Sequence, residues 1–257
     1  MIRELAENPN VHQPLGPGRS LYRDPGGRFA IFLSPGTSPH SATVQRVRLA
    51  RAGVGSAVAE IRELLHADGR EGAEWELGES CEPPNLVERL LELGLRSDPD
   101  DPVAYGMVLH DAAIEPPHGV TARPVASVDE LVRARVVQGA AFGDTREVDR
   151  EQVRRDFERE GRDGSTFVAV LDGELVAAGY AAHTPHGSIL FGGATLPDAR
   201  GRGAYRALVA ARAVDAAARG APVLVTHAGR MSRPILERLG FEAVARIDRL
   251  LDDVSPR

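Results

Sequence analysis

The sequence predicts an α/β fold of the α+β type. From residue 119 onward, strand patterns and helix patterns follow one another in the order β-α-α-β-β-β-α-β-α-β. Asp172-Gly173 stands between two apolar runs and is a strong hairpin signal. Arg200-Gly201-Arg202-Gly203 stands between an apolar run and an alanine-rich helical run, which predicts a glycine-rich turn at the start of a helix.

Each element of this C-terminal part follows from a local pattern. Ser127-Val128-Asp129-Glu130 has the spacing of a capping box, so a helix is predicted from there to about Phe142. A polar loop then leads to a second helix over 148–160. The other predicted strands and helices are strands at 120–125, 166–171, 174–183, 188–196, 222–227 and 241–250, and helices at 207–220 and 232–239.

The stretch before residue 116 resembles the second half of that arrangement. Strands are predicted at 28–33, 43–49, 74–77 and 103–109, and helices at 56–66 and 85–93. The spacing from Gly55 to Gly94 is 39 residues and that from Gly203 to Gly240 is 37, which indicates an internal repeat of half a fold. Only Arg51 lies near the N-terminal glycines, so we predict a degenerate copy that is retained for packing.

A linker separates the two parts. Glu115-Pro116-Pro117-His118-Gly119 contains consecutive prolines, which cannot enter a helix or a central strand. We therefore predict a degenerate half domain over 1–115 and a complete domain over 116–257.

Composition restricts the function classes. The 257-residue chain has a net charge of −6, which argues against nucleic-acid binding. All 31 basic residues are arginine, so a lysine Schiff base and a P-loop lysine are excluded. No apolar run approaches the ~18 residues of a bilayer span, and no signal-peptide pattern is present, so we expect a cytoplasmic protein that does not bind membranes. Cys81 is not expected to be catalytic, because Glu79 and Glu82 would raise its pKa.

The charge is distributed unevenly along the chain. Residues 200–233 contain seven arginines and one acid, Asp215. A glycine-rich turn can lay several backbone N–H groups against one anion, and the helix that follows adds unpaired N–H groups and the positive end of its dipole. The turn therefore predicts a polyphosphate site. Arginines on solvated helix faces are the alternative interpretation.

The element order, with Arg200-Gly201-Arg202-Gly203 opening the central helix, resembles the GNAT superfamily of acetyl-CoA-dependent N-acetyltransferases, in its tandem form. Arg200 and Gly203 match the signature Gln/Arg-x-x-Gly-x-Gly/Ala, whereas Tyr205 stands where a small residue is usual. Residues 234–241 resemble the closing helix and Leu-Gly-Phe corner of that superfamily. The resemblance implies a mixed, mostly antiparallel central sheet flanked by helices, preceded by a partial copy of the same fold.

The resemblance also implies how acetyl-CoA would bind as a co-substrate. The diphosphate would lie on the amides of the turn, and the pantetheine arm would run beside the strand that ends at Leu196. Gly192-Gly193 is consistent with the bulge at which that strand parts from its neighbour, although glycines that merely relieve crowding are the alternative. The residues implied in coenzyme A binding are Ala194, Thr195, Leu196, Arg200, Gly201, Arg202, Gly203, Ala204, Tyr205 and Arg206.

The groups that would stabilise the thioester oxyanion and protonate the departing thiolate are indicated less clearly. The amide of Thr195 or Leu196 is our candidate for contact with the thioester oxyanion. The tyrosine that often donates a proton in this superfamily is replaced here by Leu236. Candidate substitutes are Tyr205, Tyr180 and Ser232. A thiolate is a tolerable leaving group, so water can also supply the proton.

The general base is equally open. His183, His186 and His227 could each accept a proton at neutral pH. We prefer His227, because it ends the strand that borders the predicted cleft. The His-x-x-His spacing of His183 and His186 lacks a third ligand, so no metal is expected.

The leading prediction is an N-acetyltransferase that acetylates a small-molecule amine by direct attack in a ternary complex. Asp144, Glu147 and Asp149 are candidates for binding a cationic acceptor. Without an assigned base, we expect an acceptor amine of low pKa or a water that relays its proton. One alternative is a non-catalytic acyl-CoA sensor of the same fold; another is a nucleotide enzyme, although its usual glycine motifs are absent. The resemblance leaves a homodimer open.

Overall fold

The chain forms two compact units in the computed structural model, which describes residues 1–110, 113–143 and 147–254. The N-terminal unit consists of Arg3–Met107, His227–Ile235 and the residues from Ala243 onward. The C-terminal unit consists of Met1–Ile2, Val108–Thr226 and Leu236–Glu242. The domain boundary at residues 115 and 116 stays a prediction.

The first half of the chain contains short strands and two longer helices. The elements are α1 (Ile2–Glu7), α2 (Pro9–His12), β1 (Ser20–Arg23), β2 (Ala30–Leu33), β3 (Ala42–Gln45), α3 (Val54–Ala67), β4 (Gly72–Leu77), α4 (Leu86–Glu92), β5 (Arg96–Ser97) and β6 (Val103–His110).

The second half begins with one strand and two helices and continues into longer strands. The elements are β7 (Val120–Pro124), α5 (Val128–Phe142), α6 (Arg150–Phe157), β8 (Gly164–Leu171), β9 (Glu174–Thr184), β10 (Gly187–Thr195), α7 (Ala204–Ala218), β11 (Val223–Ala228), α8 (Arg233–Arg238) and β12 (Glu242–Asp253).

In the N-terminal unit, β1, β2 and β3 pair antiparallel, and β3 pairs parallel with β4. The C-terminal strand β12 lies antiparallel on the other side of β4, with Leu250 opposite Trp75. The core of this unit places the buried face of α3, including Val58 and Ile61, in one apolar cluster with the fully buried Trp75. The burial follows from the apolar spacing along α3.

In the C-terminal unit, β7, β8, β9 and β10 form an antiparallel series, and β10 pairs parallel with β11. The predicted hairpin joins β8 to β9. Asp172 and Gly173 both adopt positive φ, at 53° and 85°, which is the conformation that a type I′ turn requires.

Helix α5 begins as its sequence predicts. The Ser127 hydroxyl accepts a hydrogen bond from the Glu130 amide at 3.2 Å, and the Glu130 carboxylate accepts one from the Ala126 amide at 2.8 Å. Gly143 ends the helix in the left-handed conformation. The apolar face of α5 packs with Val153 of α6 and Val168 of β8 in the core of this unit.

The predicted fold class is confirmed: strands and helices mix around a largely antiparallel sheet. Helix α6 begins two residues later than predicted, because the Asp149 carboxylate caps it by accepting hydrogen bonds from the Glu151 and Gln152 amides, and it ends earlier, at Phe157. The short elements α1, α2, β1 and β5 were not predicted. Helices α1 and α2 have six and four residues, which are too few to show a helical period. Within the described ranges, no helix has the length and apolarity that crossing a bilayer would demand.

Candidate functional site

The sheet of the C-terminal unit opens between β10 and β11. The two strands pair in parallel only from Ser188 opposite Leu224 to Leu190 opposite Thr226. At the last pair, the Thr226 hydroxyl donates a hydrogen bond to the Leu190 carbonyl at 3.0 Å. The later residues of β10 pair with β9 on the other side and leave this edge open.

A bulge in β10 follows directly after the opening. The register with β9 shifts between Phe191 and Ala194, so Gly192 and Gly193 form the irregular segment. Gly192 adopts φ +56°, and its carbonyl accepts a hydrogen bond from the Gln138 side chain of α5 at 2.8 Å. The two glycines are therefore structural parts of the predicted bulge.

Thr195 presents its backbone polar groups to the open edge. The Leu196 amide donates to the Val176 carbonyl of β9 at 2.9 Å, and residues along an antiparallel strand alternate in the direction of these bonds. The amide and carbonyl of Thr195 consequently point away from β9. Arg200 donates to that carbonyl at 3.3 Å, and the Thr195 hydroxyl is buried with no hydrogen-bond partner among the described residues.

The glycine-rich turn ends in an uncapped helix start. Gly201 and Gly203 adopt φ of +75° and +90°, and Gly203 is the residue before α7. The first intrahelical bond involving the turn runs from the Ala207 amide to the Gly203 carbonyl. Within the part of the chain that is described, the amides of residues 201–206 meet no hydrogen-bond acceptor. Successive free amides in such a turn form a concavity for an anion.

The three arginines of the turn are held by weak, exposed contacts. Arg202 pairs with Asp172 at 2.7 Å while half of its side chain stays exposed, and Arg206 donates to the Glu115 carbonyl at 3.0 Å. Pro117 of the linker lies against the turn, because a Cβ added at Gly203 would come within 2.9 Å of its ring. An incoming anion can compete for these arginines.

Tyr205 and Arg212 lie together beneath the bulge. A Cβ added at Gly193 would lie 2.8 Å from the Tyr205 ring and 3.7 Å from a terminal nitrogen of Arg212, so only glycine fits there. Burial raises the pKa of the Tyr205 phenol, and the charge of Arg212 opposes part of that rise. The large residue at the usually small position of the signature is thus accommodated by the glycine opposite it.

His227 belongs to the N-terminal unit, where both of its ring nitrogens are engaged. Nε2 lies 2.9 Å from the Ala6 carbonyl and Nδ1 lies 3.3 Å from the Glu76 carboxylate. Burial raises the pKa of Glu76, but the charge and hydrogen bond of His227, with Arg249 and Gln45, outweigh burial and lower it to about 2. This arrangement is a buried polar cluster, and the role of His227 as a base stays a prediction.

The other candidates are dispersed. Ser232 belongs to the N-terminal unit and Tyr205 to the C-terminal unit. The ring of His183 lies near three side chains, those of Ser165, Ser188 and Asp215. Burial, and after it the charge of Arg219, lower the pKa of His183. His186 is exposed in a turn.

The remaining candidates are the acidic residues of the loop before α6 and the single cysteine. Glu147 is exposed and Asp149 is used as the helix cap, while Asp144 lies outside the described residues. Burial first, and then Glu7, raise the pKa of Cys81 to about 11, rather than Glu79 and Glu82 as expected.

Sequence reasoning missed two residues at the bulge. Gln138 and Arg212 both lie on helices, in stretches that look like ordinary solvated faces, yet both are buried. A usable signal was the position of Arg212 in the apolar spacing of α7, in register with Leu208.

The comparisons with known proteins agree with this geometry. The sequence model of the acetyltransferase (GNAT) family matches residues 133–241. A GCN5-related N-acetyltransferase from Kribbella flavida is 26% identical, with 91% of this chain and 90% of that chain covered and a TM-score of 0.63. No curated protein matches the chain.

Two further solved structures share the fold. A tandem GNAT protein from the clavulanic acid biosynthesis pathway is 19% identical over 100% of this chain and 88% of that chain, with a TM-score of 0.60. A GCN5-related N-acetyltransferase from Sphaerobacter thermophilus is 19% identical over 95% and 82%, with a TM-score of 0.64. The likeness extends over both halves of the chain.

Proposed function

Because the chain belongs to the GNAT acetyltransferase superfamily, we propose that it is an N-acetyltransferase that moves an acetyl group from acetyl-CoA to the amine of a small metabolite. Membership of the family implies acyl transfer from an acyl-CoA. The acetyl group, the amine acceptor and a cytoplasmic location are our more specific proposals. The amine attacks the thioester directly in a ternary complex.

The observation that carries the proposal is the set of free amides at the start of α7. Gly201 and Gly203 hold the turn in left-handed conformations, and residues 201–206 offer their amides without an acceptor in the described chain. The positive end of the helix dipole and the exposed Arg202 and Arg206 add to the attraction for a diphosphate. These residues would hold coenzyme A.

The open edge of β10 supports the proposed chemistry. The Thr195 amide points away from β9 and would donate a hydrogen bond to the thioester oxygen as negative charge develops on it. Of the two amides first considered, that of Leu196 already donates to Val176. Tyr205, beneath the bulge, is our preferred proton donor for the departing sulfur, while Ser232 and the base His227 remain proposals without such placement.

The missing base restricts the acceptor. An alkyl amine with a pKa near 10.4 is about three units from its neutral form at pH 7, a cost of roughly 4–5 kcal/mol. An α-amine with a pKa near 8 costs only roughly 1.4 kcal/mol. We therefore propose an acceptor of low amine pKa, such as an amino acid or a compound that resembles one.

The test follows free thiol after the purified protein is mixed with acetyl-CoA and a panel of amines. We expect thiol release that depends on the amine, with α-amines better than primary alkyl amines at pH 7. A matched reaction without amine measures simple hydrolysis. If an alkyl amine were the best substrate, with a rate that rises steeply to pH 10, the low-pKa acceptor would be wrong.

The alternative function is a non-catalytic acyl-CoA sensor. The replacement of the usual tyrosine by Leu236 favours this alternative. Isothermal titration separates the two functions: a sensor binds acetyl-CoA stably in the presence of every amine and releases no thiol. If coenzyme A itself did not bind, both the acetyltransferase and the sensor function would be wrong.

A further inference from the structure

Arg212 is a fully buried arginine that forms no ion pair with an acidic side chain among the residues that the structure describes. Its side chain is 1% exposed. The Nε atom donates to the Leu208 carbonyl of the same helix at 3.0 Å, and one terminal nitrogen lies 3.5 Å from the Tyr180 carbonyl. The other terminal nitrogen has no hydrogen-bond partner among the described residues. Arg212 is therefore a buried cation with no counter-ion within residues 1–110, 113–143 and 147–254.

Such a residue is poorly explained by packing. A buried charge without a partner destabilises a fold, and an apolar side chain of similar length is usually tolerated better in its place. The rest of the buried face of α7 is apolar and mostly alanine. Arg212 therefore points to a role that requires charge at this position.

Two glycines create the space that Arg212 occupies. A Cβ added at Gly179 of β9 would lie 2.9 Å from one terminal nitrogen of Arg212, and a Cβ added at Gly193 would lie 3.7 Å from the other. The same Gly193 position is within 2.8 Å of the Tyr205 ring. The guanidinium and the phenol thus share one site beneath the bulge of β10.

Other charges near this site are already paired. On α7, Asp215 pairs with Arg219 at 2.8 Å, and from β9 His183 faces the same Asp215 at 3.6 Å. On β7, Arg123 pairs with Glu130; β8 and β10 carry no ionisable side chain. Tyr205 is the one described ionisable group with a marked electrostatic effect on Arg212.

We propose that Arg212 is a positioning residue for acyl transfer, and that its charge stabilises the anionic form of Tyr205 that arises when the phenol protonates the departing sulfur. The inference rests on the proposed function. The amine nitrogen forms a bond to the thioester carbon, the carbon–sulfur bond breaks, and its electron pair goes to sulfur. The Tyr205 hydroxyl gives its proton to that sulfur, and the proton lost by the amine returns to the phenolate through water.

The arrangement favours the transition state over the resting state. Before reaction the guanidinium faces a neutral phenol, and it gains a negative partner only as the carbon–sulfur bond breaks. An interaction that is made only in the transition state raises kcat without tightening substrate binding. A fixed charge in a buried site also needs no reorganisation when the negative charge appears.

The first test measures the Tyr205 ionisation directly. The chain has four tyrosines, so the tyrosinate absorbance of the wild type minus that of Tyr205→Phe isolates this phenol. We expect Arg212→Met to move the Tyr205 titration to higher pH, because the cation that favours the phenolate is gone. Arg212→Lys should move the Tyr205 titration part of the way back toward its wild-type position. Arg219→Met, at the residue that directly follows α7 and pairs with Asp215, should leave the Tyr205 titration as in the wild type.

The second test is a kinetic cycle. We expect Tyr205→Phe to lower kcat about 100-fold and Arg212→Met to lower it about 10-fold with KM for acetyl-CoA within about twofold. In the Tyr205→Phe background, Arg212→Met should have less than about a twofold effect, since the two residues act together. A thermal midpoint of Arg212→Met at or above that of the wild type shows that folding is intact.

The outcomes separate this inference from the function on which it rests. An unshifted Tyr205 titration in Arg212→Met, or an unchanged kcat, would overturn the role of Arg212 while leaving acyl transfer in place. Equal losses from Arg212→Met with and without Tyr205 would also overturn it. If coenzyme A did not bind to the wild type, the proposed function and the role of Arg212 would both be wrong.

Discussion

The helices α3 and α7 begin in related sequence but in different conformations. Before α7, Gly201 and Gly203 have φ of +75° and +90°, and the following amides lack acceptors in the described chain. Before α3, Gly53 has φ of −94° and closes a short 3₁₀ turn in which its amide donates to the Ala50 carbonyl. The N-terminal turn therefore leads into its helix without the left-handed glycines that precede α7.

This difference bears on which features of the turn the proposed anion site requires. Both turns contain glycine, and both precede a helix of at least 14 residues. Only the C-terminal turn combines left-handed glycines, free amides and arginines. The packing of α3 does not depend on the conformation of the turn before it, because α3 buries Val58 and Ile61 in its own core.

The two units also treat buried charge differently. In the N-terminal unit, Glu76 is buried, and it has Gln45, His227 and Arg249 within 3.3 Å. In the C-terminal unit, Arg212 is buried with a terminal nitrogen left unpaired among the described residues. Removal of one partner from a paired buried charge strongly destabilises a fold, whereas an unpaired buried charge is itself destabilising. We therefore expect the first site to affect stability, and we infer a functional role for the second.

Glu76→Gln should give the largest effect in this comparison. Removal of one partner from a buried ionic cluster destabilises by about 3 kcal/mol, measured as the free energy of unfolding in urea at pH 7. The folded-state pKa is about 2, below the value of 4.5 for a free side chain. The stabilisation is therefore complete above about pH 4.5 and is lost as the pH falls toward 2.

An acid titration tests the predicted direction of this change in stability with pH. The difference in unfolding free energy between the wild type and Glu76→Gln should narrow between pH 5 and pH 3. The exposed Glu88→Gln is the matched control and should change stability little at either pH. If the wild type and Glu76→Gln were equally stable at pH 7, the polar cluster would have no stabilising role.

Gly203→Ala should have the next largest effect, on coenzyme A binding. The left-handed conformation costs an L-residue about 1–2 kcal/mol, and the new Cβ would lie 2.9 Å from Pro117. We expect about 2 kcal/mol, or roughly a 30-fold rise in Kd by isothermal titration. Gly55→Ala, with open space and an ordinary φ, should leave Kd unchanged and stabilise α3 slightly. Equal Kd values for the two variants would contradict the role of the turn.

The sequence was sufficient for the parts of the fold that rest on local physics. The Ser127 cap and the Asp172-Gly173 hairpin were predicted from residue types that act over a few positions. The bulge was expected from the family resemblance, and Gly192-Gly193 was consistent with it because glycine within an apolar strand permits close approach.

The rest of the site depends on contacts between distant residues. The ring of His227 was expected beside a cleft, yet its partners Glu76 and Ala6 are 151 and 221 residues away, and no local pattern indicates them. The burial of Arg212 likewise depends on glycines in β9 and β10. The spacing of residues in the sequence shows which side chains share a face of a helix. Which residues that face contacts is decided by the tertiary fold.

Arg202→Met should have a smaller effect that depends on salt. The side chain is half exposed and already pairs with Asp172, so its loss should weaken coenzyme A binding by about 1 kcal/mol, or roughly fivefold in Kd, at low ionic strength. The effect should shrink as salt is raised. Arg51→Met in the N-terminal turn is the control and should not change Kd. A loss that does not depend on salt would argue against a charge contact.

The smallest expected effect sharpens the comparison most. Ala52→Arg adds an arginine to the N-terminal turn without changing the φ of Gly53, which stays in the right-handed region at −94°. If conformation defines the site, coenzyme A should still bind once per chain, with Kd within about twofold of the wild type. A second equivalent of bound coenzyme A would show that charge beside a glycine turn is sufficient. The left-handed glycines before α7 would then not explain why that turn binds, since added charge can supply electrostatic attraction but cannot make the backbone amides converge.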